Sequence, residues 1–241
     1  MCGRFTVKGD PAKVRKIFRL ATIPNLMPRY NVAPTQDVSV VGLGKEGPSL
    51  IQMRWGLVPS WSKDPKAGAP LINARADTVA VKPAFREAFR KRRCLIVADG
   101  FYEWTGEKEQ KQAWYITLKS GEPFGFAALW ERWRPPASTP GEPILSAAIV
   151  TTDANDTIAH IHHRMPVILD PADHAPTPVP AEYGDALVSG IRRPPVSRPG
   201  SGHPPSDRTG ACGTATGPAC GTVIMMLPRD RTDRTPGALP R

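Results

Sequence analysis

Long apolar runs are missing from this chain. No stretch approaches the roughly 18 residues that a membrane-spanning helix needs, and the N-terminus lacks the apolar core of a secretory signal. These two gaps set the expectation of a cytoplasmic protein with no membrane partner. Cysteine is scarce as well. The four present, Cys2, Cys94, Cys212 and Cys220, form no CxxC pair and no framework spacing. That excludes a disulfide scaffold and the common zinc folds. Neither a metal nor another cofactor is expected. Regular alternation of strands and helices is absent, which excludes a doubly wound parallel sheet. Internal repeats are absent too. Acidic residues are outnumbered: 22 Asp and Glu face 32 Lys and Arg, giving a net charge of +10. An excess of that sign favours a polyanionic partner such as nucleic acid, with a solvated basic face as the plainer alternative. At 241 residues the chain suffices for one good-sized core or two small ones.

Composition divides the chain near Pro171. Residues 171–241 hold 13 Pro and 9 Gly, one aromatic (Tyr183), eight Arg and no Lys. So many breakers and so few long apolar side chains favour disorder over a packed core. A linker-like extension or a shifted reading frame would each account for the change, and the second is the reading favoured here. The expected domains are therefore 1–170 and a tail over 171–241.

Residues 1–170 read as an α+β domain rich in strands. Asp10-Pro11 predicts a helix start, Asp as N-cap and Pro at the first helical position, with Val14, Ile17 and Phe18 as its apolar stripe. A second helix is expected at Pro83–Arg93 and a third, short one at Ala154–Ile161 with Asp153 as its N-cap. Strands are expected at Val38–Leu43, Leu50–Val58, Cys94–Ala98, Trp114–Leu118, Phe124–Trp130 and Leu145–Thr151, each short, apolar or alternating, and bounded by turn residues. Cys94 opens one of these runs and reads as a core thiol.

Cys2 is the residue that suggests chemistry. If Met1 is removed, Cys2 carries an amine and a thiol on adjacent carbons. Such a 1,2-aminothiol condenses with an aldehyde, first as a Schiff base and then as a five-membered thiazolidine. An unperturbed α-amine has a pKa of about 7.7–8.0 and a thiol about 8.5, so both groups are usable near neutrality. Three further segments set polar residues in apolar, aromatic surroundings: Leu71–Asp77, Asp99–Trp104 and His160–Pro166. Glu103 lies between Tyr102 and Trp104 at an expected strand end. Among aromatics its pKa would rise and suit it to proton transfer; on an alternating strand it would simply face solvent. Asn73 suits orientation of a nucleophile or a sugar, or an ordinary turn. Arg75 suits phosphate or a surface ion pair. His160, His162 and His163 lack a further ligand at a recognisable spacing, so proton transfer by one of them is favoured over metal binding. Trp55 and Trp61 with Arg4, Arg54, Arg75 and the basic second helix (Arg86, Arg90) have the composition of a single-strand-binding groove, although each tryptophan also suits a core.

Six segments in order, MCGRF at 1–5, RYNVAPT at 29–35, RWGLVPSW at 54–61, LINARAD at 71–77, ADGFYEW at 98–104 and IHHRMPVIL at 161–169, resemble the SOS-response-associated peptidase, or abasic-site-processing, family. The resemblance covers roughly residues 1–170. It implies a compact, largely β fold with a basic DNA-binding face, and a monomer. It also implies a protein of the DNA damage response that senses abasic sites in single-stranded DNA and attaches to the sugar aldehyde through its N-terminal cysteine. Carried over residue by residue, it gives Cys2 as nucleophile, with Asn73, Glu103 and His162 as the other catalytic residues. Arg4 and Arg75 would meet phosphates, with Trp61, Arg86 and Arg90 on the DNA-binding face. The similarity stops just after Asp173; Pro195-Val196-Ser197 sits in a Pro/Gly-rich setting without a strand-like continuation. Two other functions stay open. One is a peptidase with an N-terminal cysteine nucleophile, or a lyase-type activity at the same residue. The other is a non-catalytic module that binds single strands.

Overall fold

In the computed structural model, residues 2–44, 47–107, 111–136, 141–171 and 174 are described, together with a strand over 223–228. Two helices and thirteen strands form among them. β1 (Arg4–Val7) leads into α1 (Pro11–Phe18). Asp10 caps that helix by accepting from Ala12 N at 2.8 Å, Pro11 occupies its first turn, and Val14 and Phe18 are its buried face. There follow β2 (Arg29–Val32), β3 (Asp37–Gly44), β4 (Gly47–Trp55) and β5 (Asn73–Arg75). After α2 (Arg86–Lys91) come β6 (Arg93–Ala98), β7 (Gly100–Thr105), β8 (Gln112–Leu118), β9 (Phe124–Trp133) and β10 (Ile144–Asp153). The short β11 (Arg164–Pro166) and β12 (Ile168–Leu169) precede β13 (Val223–Pro228).

The strands make two sheets. One is antiparallel, in the order β13-β8-β7-β1-β2. The other runs β11-β10-β4-β3-β6-β9-β12, with β5 beside β10. An added β10–β9 pairing closes β10, β4, β3, β6 and β9 into a ring. Closure removes free edges from that ring. The class is the expected β-rich α+β. Aromatic rings join the sheets edge to face: Phe5 lies 5.0 Å from Trp55 and 5.7 Å from Phe126, and Phe101 lies 6.0 Å from Phe126. Such T-shaped pairs are favoured by the ring quadrupole. They fix which face of β1 and β7 points inward: Phe5 and Phe101 face the second sheet.

All six expected strands form, within a few residues of their expected bounds. The third helix does not. Residues 154–155 are coil and 156–161 are turns, and Asn155, not Asp153, accepts from Ile158 N. Asp153 ends β10 and pairs with Arg164 at 2.7 Å. The second helix is shorter than expected because residues 83–85 are turn. In the tail, β13 lies antiparallel to β8, Val223 opposite Leu118 and Pro228 opposite Trp114. The tail's composition had suggested no strand there. The expected disorder of the rest of the tail, and its origin, fall on residues outside the described ones.

Candidate active site

Four segments far apart in sequence meet at one end of the interface between the sheets. β1 pairs with β7, Arg4 opposite Tyr102 and Phe5 opposite Phe101. Side chains alternate along a strand, so Glu103 shares the inward face with Phe101. It is 3% exposed. The expectation of a strand end is corrected: Glu103 lies within β7, and the register that buries Phe101 buries it too. Burial raises its carboxyl above the ordinary range, opposed by the positive charge of the chain terminus. Cys2, just before β1, is fully buried. Burial pushes its thiol far above the usual cysteine range, and the Glu103 carboxylate pushes the same way.

Asn73 comes from the other sheet. β5 runs parallel to β10, with Asn73 opposite Ile149. Its Nδ2 donates to the Cys2 carbonyl at 3.0 Å, so it is no ordinary turn residue. Its Oδ1 is buried and has no hydrogen-bond partner among the described residues. Such an acceptor is costly unless something completes it.

The histidine segment closes the group. Trp114, opposite Glu103 on β8, packs edge-on against His160 at 6.0 Å. His162 and His163 stack at 4.5 Å. The Arg164 amide donates to His162 Nδ1 at 2.9 Å. Nδ1 also lies 3.1 Å from Arg164 O, so whether it accepts or donates depends on the tautomer. Burial lowers the His162 pKa, and the positive chain terminus lowers it further. The same terminus thus acts on Cys2, Glu103 and His162. Arg164 was not read as a site residue, although the motif containing it was. It is buried, donates to Thr151 O at 2.7 Å and to Asp153, and anchors the histidine segment to β10. No trio of metal-ligating side chains gathers among the described residues.

The expected DNA-binding residues are spread more widely. Arg4 starts β1 and donates to Asn31 Oδ1 at 2.9 Å. Arg75, two residues from Asn73, makes a two-pronged pair with Asp77 at 2.6 and 3.2 Å, the surface ion pair that its sequence also allowed. Arg86 and Arg90 are exposed on α2, and Arg90 meets Glu87. Trp61 is 67% exposed, whereas Trp55 is core. Trp61, Arg86 and Arg90 have no hydrogen bond or ring contact with the Cys2 group among the described residues. Cavities of about 760, 260 and 280 Å³ open elsewhere, the first between α1, β8 and β12. No helix among the described residues is long and apolar enough to cross a membrane.

Residues 1–177 match the family described as SOS response associated peptidase (SRAP), seven residues beyond the extent read from the sequence. Abasic site processing protein YoqW of Bacillus subtilis is 41% identical over 173 residues, covering 70% of this chain and 76% of its own. Abasic site processing protein HMCES of Xenopus tropicalis is 32% identical over 213 residues, covering 70% and 63%. A solved protein from Bacteroides thetaiotaomicron superposes with a TM-score of 0.62 at 28% identity, covering 72% of this chain and 79% of its own. A phage-related protein from Bordetella bronchiseptica gives 0.57 at 29% identity, covering 78% and 84%.

Proposed function

Because the chain belongs to the SOS response associated peptidase family, we propose that it processes abasic sites in single-stranded DNA by forming a covalent adduct through Cys2. The relatives named as abasic site processing proteins support the substrate. One observation carries the chemistry: Glu103 and Asn73, from different sheets, converge on the cysteine next to the chain terminus.

Removal of Met1 comes first and frees the α-amine of Cys2. The amine adds to C1′ of the ring-opened sugar, and the carbinolamine loses its hydroxyl as water to give a Schiff base. The Cys2 sulfur then adds to the C=N carbon while its proton passes to nitrogen. A C–S bond forms, the C=N becomes a single bond, one water leaves, and nothing is oxidised or reduced.

Each neighbour has a part in this. A carboxyl with a raised pKa retains a proton nearer neutrality, which suits Glu103 to protonate the departing hydroxyl. A neutral His162 suits the complementary transfers. Asn73 holds the Cys2 carbonyl, and its unfilled Oδ1 suits a donor on the sugar or the amine. A thiolate peptidase gains less from this arrangement. Its nucleophile would have to ionise, and burial beside Glu103 opposes that.

The test is intact mass after incubation with an oligonucleotide carrying one abasic site. The adduct should weigh the sum of the Met-free protein and the DNA less one water. A protein that cleaves the strand without gaining mass, or leaves it untouched, overturns the reading.

A further inference from the structure

Asp99 is a buried carboxylate that the chemistry above does not use. It lies between β6 and β7 and is 6% exposed. Burying a carboxylate is costly unless its oxygens are met. Both are met here, by one short stretch of chain. Thr6 Oγ1 donates to Oδ1, and the Lys8 backbone N–H donates to Oδ2. The Asp99 amide donates back to Thr6 O at 3.0 Å. One residue thus ties down β1 at Thr6 and the chain just past its end. A further contact closes over these bonds. Thr6 is on the outward face of β1, opposite to Phe5, yet it is 1% exposed. Tyr115 of β8 covers it, with Oη 2.9 Å from Thr6 Oγ1, and Lys8 Nζ lies 4.7 Å from the Tyr115 ring centre. Gly100 permits that reach, because a Cβ there would run into Tyr115 Oη.

β1 needs such a tie. It is four residues long and meets β7 in only three pairs, Arg4–Tyr102, Phe5–Phe101 and Thr6–Gly100. On its other side the register with β2 shifts between Phe5 and Val7. Sliding a strand by two residues keeps its inward and outward faces, so the pleat alone does not fix β1. The carboxylate does. Of Arg4, Thr6 and Lys8, spaced two apart, only Thr6 carries a short hydroxyl for it. Cys2 is the residue this register serves. Each residue of slip would carry it about 3.3 Å along the strand, and a misplacement of about 1 Å can cost a reaction roughly 10²-fold.

We propose that Asp99 is a positioning residue: it clamps β1 through Thr6 and the Lys8 amide, and so sets Cys2 against Glu103 and Asn73. This rests on the abasic-site reading above, in which Cys2 is the reacting residue.

The test separates position from stability. Thr6→Val keeps the shape of the side chain without its hydroxyl. At saturating abasic single strand it should slow single-turnover adduct formation by roughly 10- to 10²-fold. Its affinity for a strand carrying tetrahydrofuran, a baseless sugar without an aldehyde, should stay near that of wild type. Thr6→Ser, which restores the hydroxyl, should recover most of the rate. Asp99→Asn turns an amide nitrogen towards a donor; it should behave as Thr6→Val does, and it carries the test if that variant fails to fold. Cys94→Ala is the control for stability: it lowers the melting temperature from within β6 and should not slow the reaction. Hydrogen exchange over residues 2–5, read by mass spectrometry without DNA, should quicken in Thr6→Val and Asp99→Asn but not in Thr6→Ser or Cys94→Ala. Unslowed chemistry in Thr6→Val and Asp99→Asn, a Thr6→Ser as slow as Thr6→Val, or unchanged exchange overturns the clamp. Absence of adduct from wild type at saturation overturns the abasic-site reading itself, and the exchange then decides the clamp alone.

Discussion

Cys2 and Cys94 are both fully buried, and burial pushes both thiols far above the ordinary range. Their surroundings differ. Cys94 sits in β6, where all six residues are buried, and burial is the sole cause of its shift. Cys2 adds the Glu103 carboxylate, the positive chain terminus, and a carbonyl held by Asn73 from the opposite sheet. Burial alone makes a thiol inert. What distinguishes Cys2 is that an ionisable carboxyl, Glu103, has been buried with it, at a cost to the fold that a packing site would not require.

The sharpest break in this comparison is substitution of each cysteine. Cys2→Ala should abolish the heat-stable adduct with abasic single-stranded DNA, read on a denaturing gel. Cys94→Ala should leave the adduct rate unchanged and lower the melting temperature by about 2–4 °C, the shift made by roughly 1 kcal/mol in a domain of this size.

Next in size are the groups that only Cys2 has. Glu103→Gln and His162→Ala should slow adduct formation by on the order of 10²–10⁴, the usual worth of positioned proton transfer, as read from single-turnover time courses. His160→Ala and His163→Ala should cost less. The pH profile carries a sign. The His162 pKa is lowered from 6.5, so its protonation should depress the wild-type rate only below that pH, and His162→Ala should remove this acid limb. Smaller again is Asn73→Ala. Loss of one hydrogen bond worth roughly 1 kcal/mol should cut the adduct rate by about five- to tenfold in the same assay.

Stability sharpens the comparison in the opposite direction. The Glu103 pKa is raised in the fold, so the folded state holds a proton that the unfolded chain releases near pH 4.5. Stability is therefore lost as pH rises from about 4.5 through the folded value. Glu103→Gln should then melt higher than wild type at pH 7, by about 2–4 °C, with a smaller difference at pH 4. Differential scanning fluorimetry at the two pH values reads this directly. A slower protein that is more stable marks a residue kept for function.

The sequence made some of this legible for physical reasons. The six expected strands are apolar runs bounded by turn residues, a local signal, and α1 carries its cap and its proline in two consecutive letters. β5 carries no such signal: three residues, Asn73–Arg75, become a strand only because Ile149–Thr151 lies beside them. Asp153 looked like a helix cap, but the charge of Arg164 and the length of β10 claimed it first. The site residues were named by motif, yet whether Glu103 faced solvent was open until Phe101 against Phe126 fixed the register of β7. That contact, like the hold of Asn73 on Cys2 across 71 positions, is long-range and leaves no local mark.

The central claim is that the amine and thiol of one terminal residue act together. It is tested most directly by a variant whose Met1 is retained, or which carries one extra residue before Cys2, mixed with an abasic single strand and run on a denaturing gel. Such a protein keeps the thiol but ties the amine into a peptide bond. The account predicts that the heat-stable adduct disappears while affinity for the strand persists. A heat-stable adduct of undiminished yield from the extended protein would contradict it.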